Sequence, residues 1–334
     1  MTDNTPETSA PQVARGPFVY GDRVQLTGPK NRRHSITLVE GGSFHSQHGM
    51  ITHESIVGKS EGTVFTASKG QEYLALRPLL SDFVMGMPRG AAIVYPKDAA
   101  QIVSLADIAP GMTVVEAGVG SGALTLHLLR ALGGHGQLLS IERRQEFADI
   151  AEANVTAFHR ERPRNWTLTL GDLQETLPTL AEPESVDRIV LDMLAPWECV
   201  DAAANALIPG GILLCYVATV TQLSRVAEQL RSHGGFTNPE SSETLVRGWH
   251  VEGLAVRPDH RMVAHTGFLI HARKLAAGTT APDSQRRGNK TPYDDEDMRA
   301  WTPDLVGEKH KSDKVLRKKV REAQRFAEQM REKE

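Results

Sequence analysis

Cysteine is scarce in this chain of 334 residues, which contains only Cys199 and Cys215. Two isolated cysteines provide neither a disulfide framework nor a C-x-x-C metal pair, and this usage fits a reducing compartment. Long apolar runs are also missing, since the longest, residues 210–220, is well short of the roughly 20 residues that a membrane helix needs. The polar, acidic N-terminus lacks the features of a signal peptide. A cytoplasmic protein with no membrane attachment is therefore expected.

A strong excess of either charge is absent as well, because the formal net charge is only −3. With 40% hydrophobic and 24% charged residues, the composition is that of an ordinary globular protein. The length allows two domains, or one large domain with additions. A near-neutral chain does not by itself indicate a nucleic-acid-binding protein, so any RNA contact has to depend on local basic patches.

Changes in composition divide the chain into four predicted segments. Residues 1–16 are polar and rich in Thr, Pro and Ser, which predicts disorder. Short alternating apolar runs separated by glycines predict a small antiparallel β domain over residues 17–80. Strands and helices then alternate over residues 81–275, as in an α/β domain. Residues 276–334 form a predicted linker and a charged helical tail.

Two clusters in the β domain could carry function. Five basic residues lie between its first strands: Arg23, Lys30, Arg32, Arg33 and His34. They predict either a solvated hairpin tip or a patch that contacts phosphates. His45, His48 and His53 also lie close together in sequence, but no cysteine or paired carboxylate stands at ligand spacing. We therefore interpret them as loop histidines, and no metal site is predicted.

The most informative stretch of the chain is Thr113–Leu126, with the sequence T-V-V-E-A-G-V-G-S-G-A-L-T-L. Its β-branched start predicts a buried strand, and its apolar end predicts a helix. Gly118, Gly120 and Gly122 lie between them, where the absence of a β-carbon allows backbone N–H groups to approach a ligand. A strand, a glycine turn and a helix N-terminus together predict a nucleotide-type binding site.

Acidic residues follow three further predicted strands at or just past their ends. They are Glu142, Asp172 and Asp192. Strands alternating with helices predict a mostly parallel, doubly wound sheet, in which these acids line one crevice. Two later extended runs, Trp249 to Val256 and Thr266 to Ala272, are expected to form a hairpin at the sheet edge.

Two classes of cofactor fit the glycine turn. The sequence G-V-G-S-G-A satisfies the G-x-G-x-x-A form of dinucleotide sites, so an NAD-dependent oxidoreductase is one hypothesis. Glu116, two residues before the first glycine, favours S-adenosylmethionine (SAM), whose methionine end carries an ammonium. The chain also lacks a Tyr-x-x-x-Lys pair, which an oxidoreductase of this kind would use. The glycines alone do not decide between the two.

Three motifs together resemble the type I tRNA (adenine-N1)-methyltransferases, in particular their actinobacterial members. They are E-A-G-V-G-S-G at residues 116–122, Y-P-K-D at residues 95–98 and L-D-M-L-A-P-W at residues 191–197. The resemblance runs from Phe18 to Leu275. It implies a Rossmann-like class I methyltransferase fold and SAM-dependent methylation of N1 of adenine 58 in the T-loop of tRNA. It also implies tRNA as partner and assembly into a homotetramer.

The resemblance also implies roles for individual residues. Asp192 and Tyr95 would be catalytic, Asp192 where sulfonium and target base meet and Tyr95 against the flipped adenine. Residues 118–124 would hold the methionine part of SAM, while later residues would meet its ribose and adenine. The implied cofactor-binding set is Glu116, Gly118, Gly120, Ser121, Gly122, Ala123, Leu124, Glu142, Arg143, Phe147, Asp172, Leu173 and Asp192.

Alternatives remain open from the sequence. Asp192 could instead cap the helix predicted from Ala202. Tyr95 and Trp197 are both candidates for stacking on the base, and both could instead be core residues. The protein could be a class I methyltransferase for another substrate, or an RNA-binding scaffold without catalysis.

The tail allows two interpretations. Its acidic run, residues 294–297, is followed by a charged helix from Lys309 with a thin apolar stripe of Leu316, Val320, Ala323, Ala327 and Met330. This helix is either solvated and mobile or a contact for RNA or another partner.

Overall fold

The computed structural model describes residues 15–282 and the helix at residues 313–331, of which the side chains of residues 315–328 are described. Residues 1–14 of the segment predicted to be disordered (1–16) and the acidic run at residues 294–297 lie outside these ranges. Within them, no helix combines the length and the apolar character needed to cross a lipid bilayer.

The N-terminal part is a small antiparallel β structure, as predicted. Its elements are β1 (Arg23–Thr27), β2 (Arg33–Thr37), β3 (Ser43–Ser46), β4 (Gly49–Thr52), α1 (His53–Ile56), β5 (Val64–Thr66) and β6 (Glu72–Leu76). Four strands form a sheet in the order β2-β1-β6-β5, and β3 and β4 form a separate hairpin. Phe18, Leu26, Leu38 and Tyr73 fill the core beneath them. The alternating runs of the sequence thus place one face of each strand in this core.

A larger α/β unit follows. Its elements are α2 (Leu80–Gly86), α3 (Pro96–Leu105), β7 (Thr113–Ala117), α4 (Ala123–Leu132), β8 (Gln137–Glu142), α5 (Gln145–His159), β9 (Trp166–Leu170), α6 (Leu173–Leu180), β10 (Val186–Asp192), α7 (Val200–Ala206), β11 (Leu207–Val217), α8 (Val220–His233), β12 (Glu240–Ser242), β13 (Trp249–Glu252), β14 (Ala255–Pro258) and β15 (Phe268–Arg273). A final helix, α9 (Asp313–Arg331), ends the described chain.

The central sheet has seven strands in the order β12-β15-β11-β10-β7-β8-β9. Strands β11, β10, β7, β8 and β9 run parallel, and β15 and β12 complete the sheet in antiparallel orientation. Two hydrophobic clusters cover its two faces, so the inner parallel strands β10, β7 and β8 are buried on both sides. From β7 the chain first winds outward through β8 and β9, then returns to β10 on the other side. The crevice between the ends of β7 and β10 is therefore the switch point where such sheets bind ligands.

One predicted strand pairing is wrong. The run from Trp249 does not join the sheet edge with β15, because β13 pairs only with β14 in a separate hairpin. The antiparallel partner of β15 at the edge is the short polar strand Glu240–Ser242. Alternating apolar residues are shared by an edge strand and a projecting hairpin, so the pattern could not separate the two.

The interpretation of the tail as a solvated, mobile helix is also wrong for the described residues. Helix α9 packs along α5, and Ala323 is completely buried between the two helices. The predicted boundaries of the four segments stay a prediction.

Candidate active site

The glycine turn has the geometry that the sequence predicts. Gly118, Gly120 and Gly122 all have positive φ angles, at 87°, 58° and 80°. Such angles are costly for residues with a β-carbon, so glycine is needed at each position. Helix α4 begins at Ala123, directly after the turn. The first N–H groups of a helix have no acceptor within the helix, so the start of α4 can donate hydrogen bonds to a ligand.

Gly118 lies directly against the end of β10. A β-carbon on Gly118 would stand 1.8 Å from the main-chain oxygen of Asp192, far inside van der Waals contact. The first glycine therefore allows the ends of β7 and β10 to approach each other. This contact brings the turn and Asp192 into one site.

The carboxylate of Glu142 is the anchor of the turn. One oxygen accepts a hydrogen bond from the N–H of Gly120 at 3.1 Å, and the other accepts from the N–H of Arg144 at 3.1 Å. Glu142 is buried, at 6% exposure. Each carboxylate oxygen has further lone pairs, so these contacts leave acceptor capacity for the hydroxyl groups of a ribose.

Glu116 lies behind the turn and is completely buried. Its carboxyl group accepts hydrogen bonds from the hydroxyls of Thr125, at 2.8 and 3.0 Å, and Ser140, at 2.7 Å. Burial raises the pKa of Glu116 to about 8, although these hydrogen bonds oppose the shift, and the charges of Asp192 and Glu142 raise it further. Both carboxyl oxygens of Glu116 thus accept hydrogen bonds from side chains, those of Thr125 on α4 and Ser140 on β8.

Asp192 ends β10 at the crevice. Burial raises the pKa of its carboxyl group to about 7, and the negative charge of Glu142 adds to the shift. Glu116, Glu142 and Asp192 therefore repel one another across a small region. Such a region is stabilised by a cationic ligand, because opposite charge relieves both the repulsion and the cost of burial.

The predicted aromatic residue, Tyr95, is half-buried and precedes α3 at its N-cap position. Tyr216 lies opposite Asp192 in the register of β10 and β11. It is linked to Asp98 through Thr266, which accepts a hydrogen bond from Tyr216 and donates one to Asp98. Burial raises the pKa of Tyr216, and the negative charges of Asp98 and Asp192 add to the shift. The structure thus brings the Y-P-K-D segment to the same end of the sheet as Asp192.

A buried polar network fixes the start of α3. The ammonium of Lys97 donates to the Asp98 carboxylate at 2.7 Å, and the hydroxyl of Thr266 donates to the other carboxylate oxygen at 2.6 Å. Lys97 also donates to the main-chain oxygen of Thr244 at 2.8 Å, and Tyr216 donates to that of Thr266 at 2.7 Å. This network joins α3 to the two segments that flank the projecting hairpin.

The remaining predicted cofactor-binding residues are either exposed or buried. Asp172 and Arg143 are exposed and paired at 3.4 Å near the ends of β8 and β9. Leu173 is buried in the core as the first residue of α6. Phe147 is buried with the guanidinium of Arg144 3.9 Å from its ring centroid. Ala123 and Leu124 are also buried, in the first turn of α4.

Ser121 fixes the glycine turn from the other side. Its hydroxyl accepts a hydrogen bond from the N–H of Gly90 at 3.1 Å. Its main-chain oxygen accepts from the amide of Asn154 at 2.9 Å, and the same amide donates to Pro88. The segment that leads to Tyr95 and the glycine turn are thus tied to the same side chain on α5.

Two alternatives for the site can now be judged. The cap interpretation of Asp192 is wrong, because α7 begins at Val200, its N-cap is Cys199, and no side chain forms a cap hydrogen bond there. Trp197 is a core residue, at 5% exposure, and the guanidinium of Arg225 lies 4.3 Å from its ring centroid. Of the two aromatic residues, Tyr95 is therefore the more exposed.

Sequence reasoning missed several residues that hold the site. They are Thr125, Ser140, Asn154, Gln222 and Thr266. Each is a polar residue within or beside an apolar segment, and this pattern is the signal that could have identified them, because buried polar groups need partners. Gln222, for example, donates to the main-chain oxygen of Leu194 at 2.9 Å and so holds the segment that follows Asp192.

The basic cluster of the β domain does not stay together. Arg23 is half-buried beside the rings of Phe83 and Phe326, and Arg33 is paired with Asp82 at 2.7 Å. The others line a cavity of about 460 Å³ whose walls also include His45, His48 and Tyr73. Its lining contains Lys30, Arg32 and His34 but no carboxylate. His53 lies elsewhere, where its ring accepts a hydrogen bond from Val39 at 2.9 Å.

Fold and site together define an α/β methyltransferase of class I, and similar solved structures agree with this assignment. A SAM-dependent O-methyltransferase from Thermotoga maritima is 31% identical and superposes with a TM-score of 0.72, covering 78% of this chain and 96% of its own. The tRNA (m1A58) methyltransferase TrmI from Aquifex aeolicus has the same fold, with a TM-score of 0.69 at 24% identity over 78% of this chain and all of its own.

Sequence comparisons identify the family within this class. The TrmI-like N-terminal family model matches residues 16–65, and the model of the tRNA methyltransferase complex GCD14 subunit matches residues 74–256. The tRNA (adenine(58)-N(1))-methyltransferase TrmI of Thermus thermophilus is 36% identical over 262 residues, which is 78% of this chain and 98% of the relative. A TrmI from Methanocaldococcus jannaschii, named for adenines 57 and 58, is 31% identical over 69% of this chain and 87% of its own. The chain belongs to this tRNA methyltransferase family, and the resemblance seen in its motifs is confirmed.

Proposed function

We propose that this protein uses SAM to methylate N1 of adenine 58 in the T-loop of tRNA. The observation that carries the proposal is the group of three acids, the buried Glu116 and Glu142 and the half-buried Asp192, around a glycine turn at the switch point of the sheet. Membership of the tRNA methyltransferase family supports the substrate class, and the relatives named for adenine 58 support the position. The NAD-dependent alternative has no comparable support.

The donor set of the crevice fits SAM. A dinucleotide would place an anionic pyrophosphate near these carboxylates, whereas SAM would bring two cationic groups, its ammonium and its sulfonium. When bound, SAM supplies an electrophilic methyl group. We assign Gly118, Gly120 and the start of α4 to its methionine end, Glu142 to its ribose hydroxyls, and the exposed pair of Arg143 and Asp172 to the adenine side.

The residues near the target base need to align it and to balance a charge. N1 of adenine already has a lone pair, so no strong base is needed to create the nucleophile. Positive charge appears on adenine as the methyl group transfers. The carboxylate of Asp192 would accept a hydrogen bond from the exocyclic amine and so stabilise that charge. Tyr95 would stack on the flipped base, as enzymes that act on an extruded base require.

The direct test is to incubate the protein with unmodified tRNA and labelled SAM and to map the product. We expect N1-methyladenosine at position 58, and the map also reports whether adenine 57 is modified. If the labelled methyl group is found on another nucleotide, on protein or on a small molecule, the proposed substrate is wrong. Asp192→Ala should abolish methylation while the affinity for SAM stays within about tenfold, roughly 1.4 kcal/mol. Normal turnover by this variant would remove Asp192 from the mechanism.

We further propose that the protein acts in the cytoplasm as a homotetramer. The hairpin of β13 and β14 supports self-association, because cross-strand register places Trp249, Val251, Val256 and Pro258 on one face. Trp249, Val251 and Val256 are each more than half exposed. A lone two-stranded hairpin is only marginally stable in water, and an exposed apolar face indicates a binding surface. A second copy of this chain is the partner that we assign to this face.

A further inference from the structure

Helix α9 is an integral part of the folded protein although it lies outside the residues that the two family models match. Ala323 and Ala327 are buried against α5, in contact with a cluster formed by Phe147, Ile150 and Ala157. Leu316, Val320 and Phe326 pack at the rim of the same cluster. The apolar stripe of the sequence therefore fixes one face of α9 on α5 and determines which face points outward.

The direction of α9 follows from its contacts near Phe326. The guanidinium of Arg23 lies 3.7 Å from the centroid of the Phe326 ring, and the adjacent Asp22 pairs with Arg160, which directly follows α5. Phe326 is therefore beside the C-terminal end of α5, and the two helices run parallel. The first half of α9 accordingly lies toward the start of α5, which is the end that borders the crevice after Glu142.

The outer face of α9 carries a row of arginines. Arg317, Arg321 and Arg325 are all exposed and follow one another at four-residue spacing, which places them about 6 Å apart along the axis on one side of the helix. Among the described residues none of the three forms an ion pair, whereas Lys318 and Lys319 both approach Glu322. At 3.6 residues per turn, the row lies on the side opposite Ala323.

We propose that this arginine row binds backbone phosphates of the tRNA substrate, an inference that rests on the proposed function. The outer face of residues 317–325 presents basic and polar side chains and no apolar anchor, which a protein that binds a helix face would need. Guanidinium groups match phosphate oxygens in a forked geometry and keep their charge at all relevant pH values. In a chain of net charge −3, such a local row is what attracts RNA.

The first experiment reverses the row in the full-length protein. The triple variant Arg317→Glu, Arg321→Glu, Arg325→Glu should bind tRNA at least about tenfold more weakly, with a salt dependence shallower by about two to three in its logarithmic slope. The triple Arg→Lys variant at the same positions keeps the charge and should retain most of the affinity. Affinity for SAM should be unchanged in both. Wild-type tRNA affinity and salt slope in the Glu variant would overturn the proposal.

A matched pair of variants tests whether docking of α9 matters. Ala323→Asp places a carboxylate inside the contact with α5, while Gln324→Asp adds the same charge at the exposed neighbouring position. If α9 has to be held beside the crevice, Ala323→Asp should weaken tRNA binding several-fold more than Gln324→Asp. Equal affinities would show that the position of the row is irrelevant and would contradict the proposal.

Product mapping separates this inference from the proposed function. If the wild-type protein forms N1-methyladenosine at position 58 and the Glu variant binds tRNA normally, the proposed role of the arginine row is refuted and the proposed function stands. If the wild-type protein binds tRNA in a manner that depends on the row but methylates no T-loop adenine, the row is supported as an RNA contact and the proposed function fails.

Discussion

Gly118 and Asp192 touch through their backbones, and this contact closes the switch point of the sheet. A β-carbon at position 118 would stand 1.8 Å from the main-chain oxygen of Asp192. Gly118 comes directly after β7 and Asp192 ends β10, so the contact sets the distance between the turn that would hold the cofactor and the acid that would face the base. The position of the Asp192 backbone therefore depends on the absence of a side chain at Gly118.

Gly118→Ala should thus abolish measurable SAM binding and reduce stability. The positive φ of Gly118 alone should cost about 1–3 kcal/mol with a β-carbon, and displacement of β10 adds to that. Gly234→Ala is the control, because Gly234 also has a positive φ but has nothing within 4 Å of its β-carbon position. Urea unfolding and calorimetric titration with SAM measure both effects. Equal losses of stability and of SAM affinity in the two variants would show that the contact with Asp192 is unimportant.

The sequence allowed the centre of the site to be predicted because its signals are local. A β-branched strand, three closely spaced glycines and an apolar helix follow one another without interruption, so Gly118–Gly122 and the acids Glu142 and Asp192 could be placed at one crevice. The partners of these residues could not be predicted in the same way. Thr125 and Ser140 show only as polar residues in apolar runs, and nothing in the spacing shows that both meet Glu116.

The predictions that were wrong concern contacts between residues far apart in the sequence. The run from Trp249 has the alternation of a sheet strand, yet the edge of the sheet is completed by Glu240–Ser242, whose three residues carry no strand signal. Likewise, the charge of α9 dominates its composition and conceals the fact that its few apolar residues match a face of α5. In both cases the deciding contact lies far away in the sequence, and its partner face could not be identified from a local pattern.

Stability should depend on pH through Glu116. The pKa of this buried carboxyl group is raised to about 8 from an ordinary value of 4.5. The folded state therefore holds the proton more tightly, and this contribution to stability is complete below pH 4.5 and is lost as the pH rises through about 8. Glu116→Gln keeps the shape without a charge, so its stability should decline less between pH 5 and pH 9.

Urea unfolding at several pH values measures this difference, with Glu161→Gln at an exposed position as control. The control should follow the wild-type protein at every pH. Parallel curves for Glu116→Gln and the wild-type protein would contradict the assignment of the pH dependence to Glu116.

Removal of the Asp98 charge should destabilise the protein strongly. Asp98 is completely buried and pairs with Lys97, whose side chain is only 9% exposed. Asp98→Asn leaves the Lys97 ammonium without its charged partner, which should cost about 3–5 kcal/mol. Because this network fixes the start of α3 beside Tyr95, kcat should fall as well. Asp107→Asn removes an exposed partner of Arg188 and should cost less than about 1 kcal/mol. Similar unfolding free energies for the two variants would refute this prediction.

The basic cavity of the β domain should contact tRNA through Arg32 rather than Arg33. Arg32 lines the cavity, whereas the charge of Arg33 is already balanced by Asp82. Arg32→Gln should therefore weaken tRNA binding and reduce its logarithmic salt slope by about one, as expected for one lost phosphate contact. Arg33→Gln should leave the slope near the wild-type value. Binding titrations at four salt concentrations decide this, and identical slopes for both variants would exclude the cavity as a phosphate contact.

The projecting hairpin should determine the oligomeric state. Its apolar face contains Trp249 and Val251, and its polar face contains His250 and Arg257. Trp249→Ser with Val251→Ser removes apolar area that a second copy would bury, so light scattering on a sizing column should report smaller assemblies than the tetramer proposed for the wild-type protein. His250→Ser with Arg257→Ser changes the opposite face of the same two strands and should leave the tetramer intact. Both double variants change two residues of the same hairpin. If two copies meet at the apolar face, only the Trp249 and Val251 substitutions should reduce the size of the assembly. A monomeric wild-type protein, or a tetramer that survives the loss of Trp249 and Val251, would exclude this interface.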